Sequence, residues 1–307
     1  MGSVVAGLTA GLLASILATV AILIAYVVFT GAASQGPVAI SDALSDLVST
    51  DVHDVRRAVF VMLIPVFSNG PLALAAVAMA ALLVRHRFRD YVTHARRIRW
   101  RLLLLGMAFC AVMMSPLVIA ERLFDPNAPQ MPVLSLSPDW LTRLVYAAAA
   151  ILLLIPAAAA EELFFRGWLL RQTSAFVKRP LGLMLLNGAV FAALHFDFQP
   201  DSFLIRTLMG AGFSYMTLRL GGIEFSTGAH AANNILIVLF VEPLTLRTAI
   251  ASGFSALTLV EMLLLAVGSV VITEIVVRLP AVRRWSGLRE DDLHGPPTDP
   301  DVAPRFA

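Results

Sequence analysis

Residues 156–170 read PAAAAEELFFRGWLL, an apolar stretch interrupted by Glu161, Glu162 and Arg166. Ionisable side chains are costly inside an apolar segment, and in membrane proteins they usually mark functional sites. On a helix, Glu162 and Arg166 are four residues apart and share one face, so they can form an ion pair. Glu161 is rotated about 100° from Glu162, because a helix has about 3.6 residues per turn. The stretch therefore predicts one paired carboxylate and a second, Glu161, that stays available for proton transfer.

The composition of the chain is that of an integral membrane protein. Of the 307 residues, 58% are hydrophobic and 14% are charged, and the mean hydropathy is +0.81. Soluble domains average roughly 45–50% apolar and about 25% charged residues. Cys110 is the single cysteine, which excludes an intrachain disulfide. We expect an all-α protein that crosses the membrane several times.

Apolar runs of about 20 residues, the length that a membrane-spanning helix needs, recur along the chain. Eight such helices are predicted, at residues 4–29, 58–84, 102–120, 141–170, 181–198, 203–220, 223–241 and 257–277. Four regions follow from this count: an N-terminal three-helix membrane region at 1–140, a core at 141–241, a last spanning helix within 242–285, and a disordered cytoplasmic tail at 286–307. The loop at 34–57 has apolar residues at helical spacing and is expected to hold a short amphipathic helix.

Basic residues concentrate between the second and third predicted spans. Seven arginines lie there: Arg85, Arg87, Arg89, Arg96, Arg97, Arg99 and Arg101. Such clusters stay on the cytoplasmic side, so we expect a multi-pass protein of the cell membrane with both termini in the cytoplasm. The cluster is expected to touch anionic lipid and not nucleic acid, because no nucleic-acid recognition motif accompanies it.

Only two of the six histidines, His195 and His230, fall within predicted spans. A single intramembrane histidine is often a packing residue. Packing is a weaker explanation for two histidines that occur together with Glu161 and Asn234 on three predicted helices. His230 and Asn234 are four residues apart, so both side chains can point from one helix face to the same place. We therefore expect these four groups to converge in the cytoplasmic half of the membrane or near its midplane.

Two mechanisms fit this set of residue types. A carboxylate and an imidazole can activate one water as a general base, and an amide can donate a hydrogen bond to the oxyanion that forms. Two histidines and a glutamate also match a zinc site with one position left for water. If a metal is used, its ligands would be Glu161, His195 and His230. The sequence leaves both mechanisms open, and the H-E-x-x-H motif of soluble zinc proteases is absent.

Three short motifs lie in order on separate predicted helices: Glu161-Glu162-x-x-x-Arg166, Phe191-x-x-x-His195 and His230-x-x-x-Asn234. Together they resemble the motifs of the CPBP family, which comprises type II CAAX prenyl endopeptidases and bacteriocin-processing or abortive-infection proteins. The resemblance covers residues 141–241 and leaves the first three predicted spans and the tail outside it. It implies an intramembrane endopeptidase with eight helices and a CAAX-protease-like helical core.

The resemblance also implies a role for each motif residue. Glu161 and His195 would activate the water, and His230 and Asn234 would stabilise the oxyanion. Secondary, structural roles fall to Glu162, Arg166 and Phe191. Members of the family are commonly labelled metalloproteases, but their need for a metal is disputed, so both mechanisms stay open and zinc is the candidate cofactor.

Two other classes of function compete with an endopeptidase acting on a peptide or protein substrate at the lipid bilayer. One is a non-proteolytic immunity or scaffold protein of the same family, which would protect by binding. The other is a secondary transporter whose buried acids carry protons; we find no inverted repeat in the sequence, which disfavours it. Processing of a true CAAX substrate would require a prenylated C-terminal cysteine, so the substrate itself stays open.

Overall fold

A computed structural model of the chain describes residues 2–49, 54–124, 130–136, 139–246, 254 and 256–286. Nearly all of the predicted tail at 286–307 lies outside these residues. The described residues contain fourteen α-helices: α1 Gly2–Phe29, α2 Ala32–Gln35, α3 Pro37–Val48, α4 Val55–Val84, α5 Trp100–Phe124, α6 Pro132–Ser135, α7 Trp140–Glu162, α8 Leu170–Ser174, α9 Pro180–Ala193, α10 Pro200–Leu220, α11 Glu224–Phe240, α12 Ala256–Leu263, α13 Ser269–Arg278 and α14 Pro280–Ser286. π-Helical turns at Leu163–Leu169 and Leu264–Gly268 join α7 to α8 and α12 to α13.

Five helical segments among the described residues are long and apolar enough to cross a membrane. They are Gly7–Phe29, Val55–Val84, Trp100–Ala120, Trp140–Ser174 and Thr258–Arg278. The prediction of an all-α, multi-pass membrane protein is therefore confirmed, whereas the count of eight spans is not. The predicted fifth span corresponds to α9, whose 14 residues cover about 21 Å at 1.5 Å per residue, less than the roughly 30 Å of a bilayer core.

The chain divides into two compact units, of which unit 1 comprises Met1–Met79, Met114–Glu161 and Ala231–Ala249. In this unit α1 packs closely on α4, because a Cβ atom at Gly11 would lie 2.7 Å from that of Ala75. Small residues allow such close approach of membrane helices.

The predicted amphipathic helix of the 34–57 loop is present in unit 1 as α3. Its Leu47 is fully buried in one cluster with Tyr26 and Val61. The Tyr26 hydroxyl donates a hydrogen bond of 2.9 Å to Asp46. The apolar face of α3 is therefore packed against α1 and α4.

Unit 2 comprises Ala80–Met113, Glu162–His230 and Ile250–Ala307. Its central helices approach each other at glycines. A Cβ atom at Gly210 of α10 would lie 2.8 Å from the Cα atom of Gly188 in α9. A Cβ atom at Gly106 of α5 would overlap the backbone carbonyl of Phe225 in α11. These contacts pack α10 closely on α9 and α5 closely on α11.

Arg99 differs from the other members of the arginine cluster. It is buried, with 7% of its surface exposed, whereas the remaining six arginines are exposed. Its guanidinium donates to both carboxylate oxygens of Glu224, at 2.9 and 2.6 Å, and to the carbonyl of Leu220 at 2.7 Å. The cluster was predicted to act through topology and lipid contact alone. In the structure, one of its members also anchors the start of α11, the helix that carries His230.

Candidate functional site

Arg166 lies in the π-helical turn that follows α7, and it forms the ion pair with Glu162 that their spacing predicts. Its Nη1 atom donates to Glu162 Oε1 at 2.9 Å, and neither side chain is exposed. Nη2 donates to the carbonyl of Gly210 at 2.8 Å. The guanidinium also lies over the rings of Phe191 and Phe213, at 4.7 and 5.3 Å from their centroids. Protein groups thus replace water around the charge of Arg166. The π-helical turn that carries this residue is itself a feature that is frequent at functional sites.

His230 also contacts Glu162, a contact that spacing alone did not predict. Its Nδ1 atom lies 3.0 Å from Glu162 Oε1, and 2% of the histidine is exposed. The ring stacks on Phe213, with centroids 5.0 Å apart and planes at 23°. Because Glu162 is ionised beside Arg166, it can only accept a hydrogen bond, so Nδ1 of His230 carries a proton. This contact directs Nε2 away from Glu162.

His195 was predicted inside a span, but it lies in the turn after α9, which ends at Ala193. Phe196, the next residue, has φ of 55°, a left-handed conformation that cannot continue a helix. The ring of His195 packs against Phe191 at 4.6 Å, as expected for residues one turn apart. Its Nδ1 atom is 2.7 Å from the Phe191 carbonyl, so Nδ1 donates and Nε2 is the proton-accepting nitrogen.

Phe191 joins the two histidines in unit 2. Its ring is fully buried and lies 4.6 Å from the ring of His195 and 5.8 Å from the ring of His230. Unit 2 thus brings together five of the seven predicted site residues: Glu162, Arg166, Phe191, His195 and His230. Phe191 is the packing surface that both imidazoles share.

Glu161, in unit 1, has a different kind of partner. Its Oε1 atom accepts a hydrogen bond of 3.0 Å from Nδ2 of Asn69 on α4. Both side chains are half-buried. Asn69 was not among the predicted site residues, although a polar Ser68-Asn69 pair inside an apolar run is a signal that could have found it.

Asn234, also in unit 1, follows His230 by one turn of α11. Its Oδ1 atom accepts a hydrogen bond of 3.2 Å from Nδ2 of Asn233. With the oxygen engaged in this way, the side chain presents its N–H groups as donors. That Glu161 and Asn234 act together with the two histidines of unit 2 stays a prediction.

A metal site needs several ligand side chains close together. Among them, no group of three or more His, Cys, Asp or Glu side chains could hold a metal ion. His195 and His230 both use Nδ1 for protein contacts, which leaves Nε2 as the nitrogen that could bind a metal. The zinc ligand set Glu161, His195 and His230 therefore stays a prediction.

Comparison with known proteins shows which family this part of the chain resembles. The model of a family described as type II CAAX prenyl endopeptidase Rce1-like matches residues 143–236. The chain is 29% identical over 167 residues to the uncharacterized protein YyaK of Bacillus subtilis (strain 168), a match that covers 52% of the chain and 54% of the relative. The chain thus spans about half the length of the curated relative it matches. No solved structure shows a significant match.

Proposed function

We propose that this multi-pass membrane protein is an intramembrane endopeptidase, because residues 143–236 match the domain model described as type II CAAX prenyl endopeptidase Rce1-like. It hydrolyses a peptide bond of a membrane-associated peptide or protein. The observation that carries the proposal is the packing of His195 and His230 on Phe191 within this domain. His230 is buried and His195 is exposed in the turn after α9, so one ring surface holds a buried imidazole and an accessible one, and imidazoles are the side chains most often used in acid–base catalysis.

Water activation is assigned to Glu161 and His195. The carboxylate of Glu161 takes a proton from a water molecule that Nε2 of His195 orients, and the water oxygen forms a bond to the carbonyl carbon of the peptide. The C–N bond then breaks, and Glu161 returns the proton to the leaving amine nitrogen. The products are a carboxylic acid and an amine, and neither residue is consumed.

Stabilisation of the oxyanion is assigned to His230 and Asn234, which both act as hydrogen-bond donors. Donation from Nε2 requires His230 to carry a proton on each ring nitrogen, while Nδ1 stays hydrogen-bonded to Glu162. Glu162 therefore orients His230, much as the aspartate of a serine-protease triad orients its histidine. Arg166 in turn holds Glu162.

The test uses purified protein in liposomes and a mixture of synthetic peptides, with and without a prenylated C-terminal cysteine, read by mass spectrometry. We expect cleavage by the wild type and none by Glu161→Ala or His195→Ala. An exposed carboxylate on α3, Asp42, supplies a matched control, and Asp42→Asn is expected to cleave normally. Cleavage that persists in either site variant would remove that residue from the mechanism.

A complementation experiment in cells, combined with the cleavage assay, separates an endopeptidase from a non-proteolytic immunity or scaffold protein. Under the endopeptidase proposal, the cellular phenotype of deleting the protein is rescued by the wild type and not by Glu161→Ala. Rescue by Glu161→Ala, with no peptide cleaved by the wild type, would favour a protein that acts by binding.

Zinc analysis of the purified protein separates the two mechanisms that the sequence leaves open. One zinc per chain, lost in Glu161→Ala and His195→Ala, would make these residues metal ligands. Cleavage that persists after dialysis against a chelator would instead assign Glu161 as a general base acting without metal.

The proposal also places the protein in the cell membrane with both termini in the cytoplasm. It is supported by the exposed arginines of the segment between α4 and α5, which flank two apolar helices long enough to span the bilayer. Accessibility of single cysteines introduced at exposed Arg85 and at exposed Arg56, next to the opposite end of α4, tests this orientation.

A further inference from the structure

The contact between Asn69 and Glu161 joins residues 92 positions apart in the sequence. Asn69 lies outside residues 143–236, so it belongs to a part of the chain that the family match does not cover. A polar amide inside an apolar helix is costly unless it is hydrogen-bonded. Here the partner is the carboxylate to which the proposed reaction assigns the proton transfer.

The orientation of the Asn69 amide follows from its two partners. An ionised carboxylate only accepts hydrogen bonds, so the NH₂ group must face Glu161. The Ser68 hydroxyl lies 3.2 Å from Asn69 Oδ1 and donates to it, which fixes the same orientation from the other side. The amide is therefore held as a donor to Oε1 of Glu161.

A glycine and a proline follow Asn69 directly in α4. Pro71 lies inside the helix and has no N–H group, so the Phe67 carbonyl lacks its usual partner four residues later. Gly70, beside Asn69, has open space around it, since a Cβ atom there would meet nothing within 4 Å. Gly70→Ala is therefore a conservative control variant next to Asn69.

We propose that Asn69 is a positioning residue for Glu161, which rests on the endopeptidase function proposed above. By bonding Oε1, Asn69 sets the plane of the carboxylate and therefore the direction in which the other oxygen can receive a proton. A neutral amide does this without a charge of its own, so it orients the carboxylate without forming an ion pair.

The kinetic test uses the peptide that the wild type cleaves fastest in the mixture. For Asn69→Ala we expect kcat to fall about tenfold, the scale of one hydrogen bond to a charged group, with KM within about twofold. Asn69→Gln, which keeps the donor, is expected to recover part of this loss, and Gly70→Ala to stay within about twofold of wild type. Unchanged kcat in Asn69→Ala, or an equal loss in Gly70→Ala, would overturn the positioning role.

An infrared measurement tests the contact without relying on cleavage. The carboxyl band of Glu161 is identified by difference from Glu161→Gln, and we expect it to shift in Asn69→Ala and not in Gly70→Ala. An unshifted band overturns the inference even if the wild type is an active peptidase. If the band shifts but the wild type cleaves no peptide, the contact between Asn69 and Glu161 is confirmed. The endopeptidase proposal is then wrong, and so is the positioning role that rests on it.

Discussion

Two adjacent glutamates in this chain have opposite surroundings. Glu162, in unit 2, bonds a guanidinium and an imidazole and is fully buried. Glu161, in unit 1, accepts a hydrogen bond from the neutral amide of Asn69 and is half-buried. The carboxylate of Glu162 therefore belongs to a buried ion pair and holds two neighbouring side chains in place. The carboxylate of Glu161, to which the proposed reaction assigns proton transfer, lies at a more exposed position and contacts a neutral amide. The same residue type thus has different surroundings at two adjacent positions, and the surroundings decide its use.

The largest expected effect comes from neutralising Glu161. Glu161→Gln keeps the size of the side chain and its contact with Asn69 but cannot accept a proton, so kcat should fall about 10²- to 10⁴-fold. Thermal unfolding should stay close to wild type, because the side chain is only half-buried and glutamine keeps an oxygen that can accept the hydrogen bond from Asn69. Cleavage assays and a melting curve on one preparation check both parts, and a large drop in melting temperature would contradict the contrast drawn here.

The main expected effect of Glu162→Gln is a loss of stability. Removing one partner of a buried ion pair leaves Arg166 uncompensated, and the free energy of unfolding should fall by about 3 kcal/mol or more. The double variant Glu162→Gln/Arg166→Met removes the stranded charge and should be more stable than the single variant. Denaturation of both in detergent measures this, and a double variant less stable than the single one would argue against a structural pair.

Phe191→Leu tests whether the ring that both histidines contact stabilises unit 2. The ring is fully buried against both imidazoles and Arg166, so the free energy of unfolding should fall by about 1–3 kcal/mol. Phe176, which is 87% exposed, supplies the matched control, and Phe176→Leu should change stability by less than about 0.5 kcal/mol. Equal effects in the two variants would mean that Phe191 does not organise this site.

The smallest effect is expected from Gly70→Ala. A methyl group there meets open space, and alanine favours a helix over glycine by roughly 0.5–1 kcal/mol. The variant should therefore be as stable as the wild type or slightly more so, as measured by thermal unfolding. A clear loss of stability would show that α4 needs the glycine, and Gly70→Ala would then fail as a control for Asn69.

Much of the fold could be predicted because apolar length is a local property of the sequence. The runs that became α1, α4, α5 and α7 were recognisable without any knowledge of neighbouring helices, and so was the helix in the 34–57 loop. His195 was misplaced because the end of α9 is set by the left-handed backbone of Phe196, and hydropathy continues through that point.

Sequence by itself determined that this is a helical membrane protein, that Glu162 pairs with Arg166, and that Phe191 lies beside His195. Each of these follows from residues within one helical turn or from the apolar content of one segment. Only the tertiary structure decided that Glu162 also holds His230, that Asn69 holds Glu161, and that Arg99 anchors Glu224. These partners are 68, 92 and 125 positions apart. Which of these side chains meet depends on how the helices pack, and local spacing in the sequence does not encode that packing.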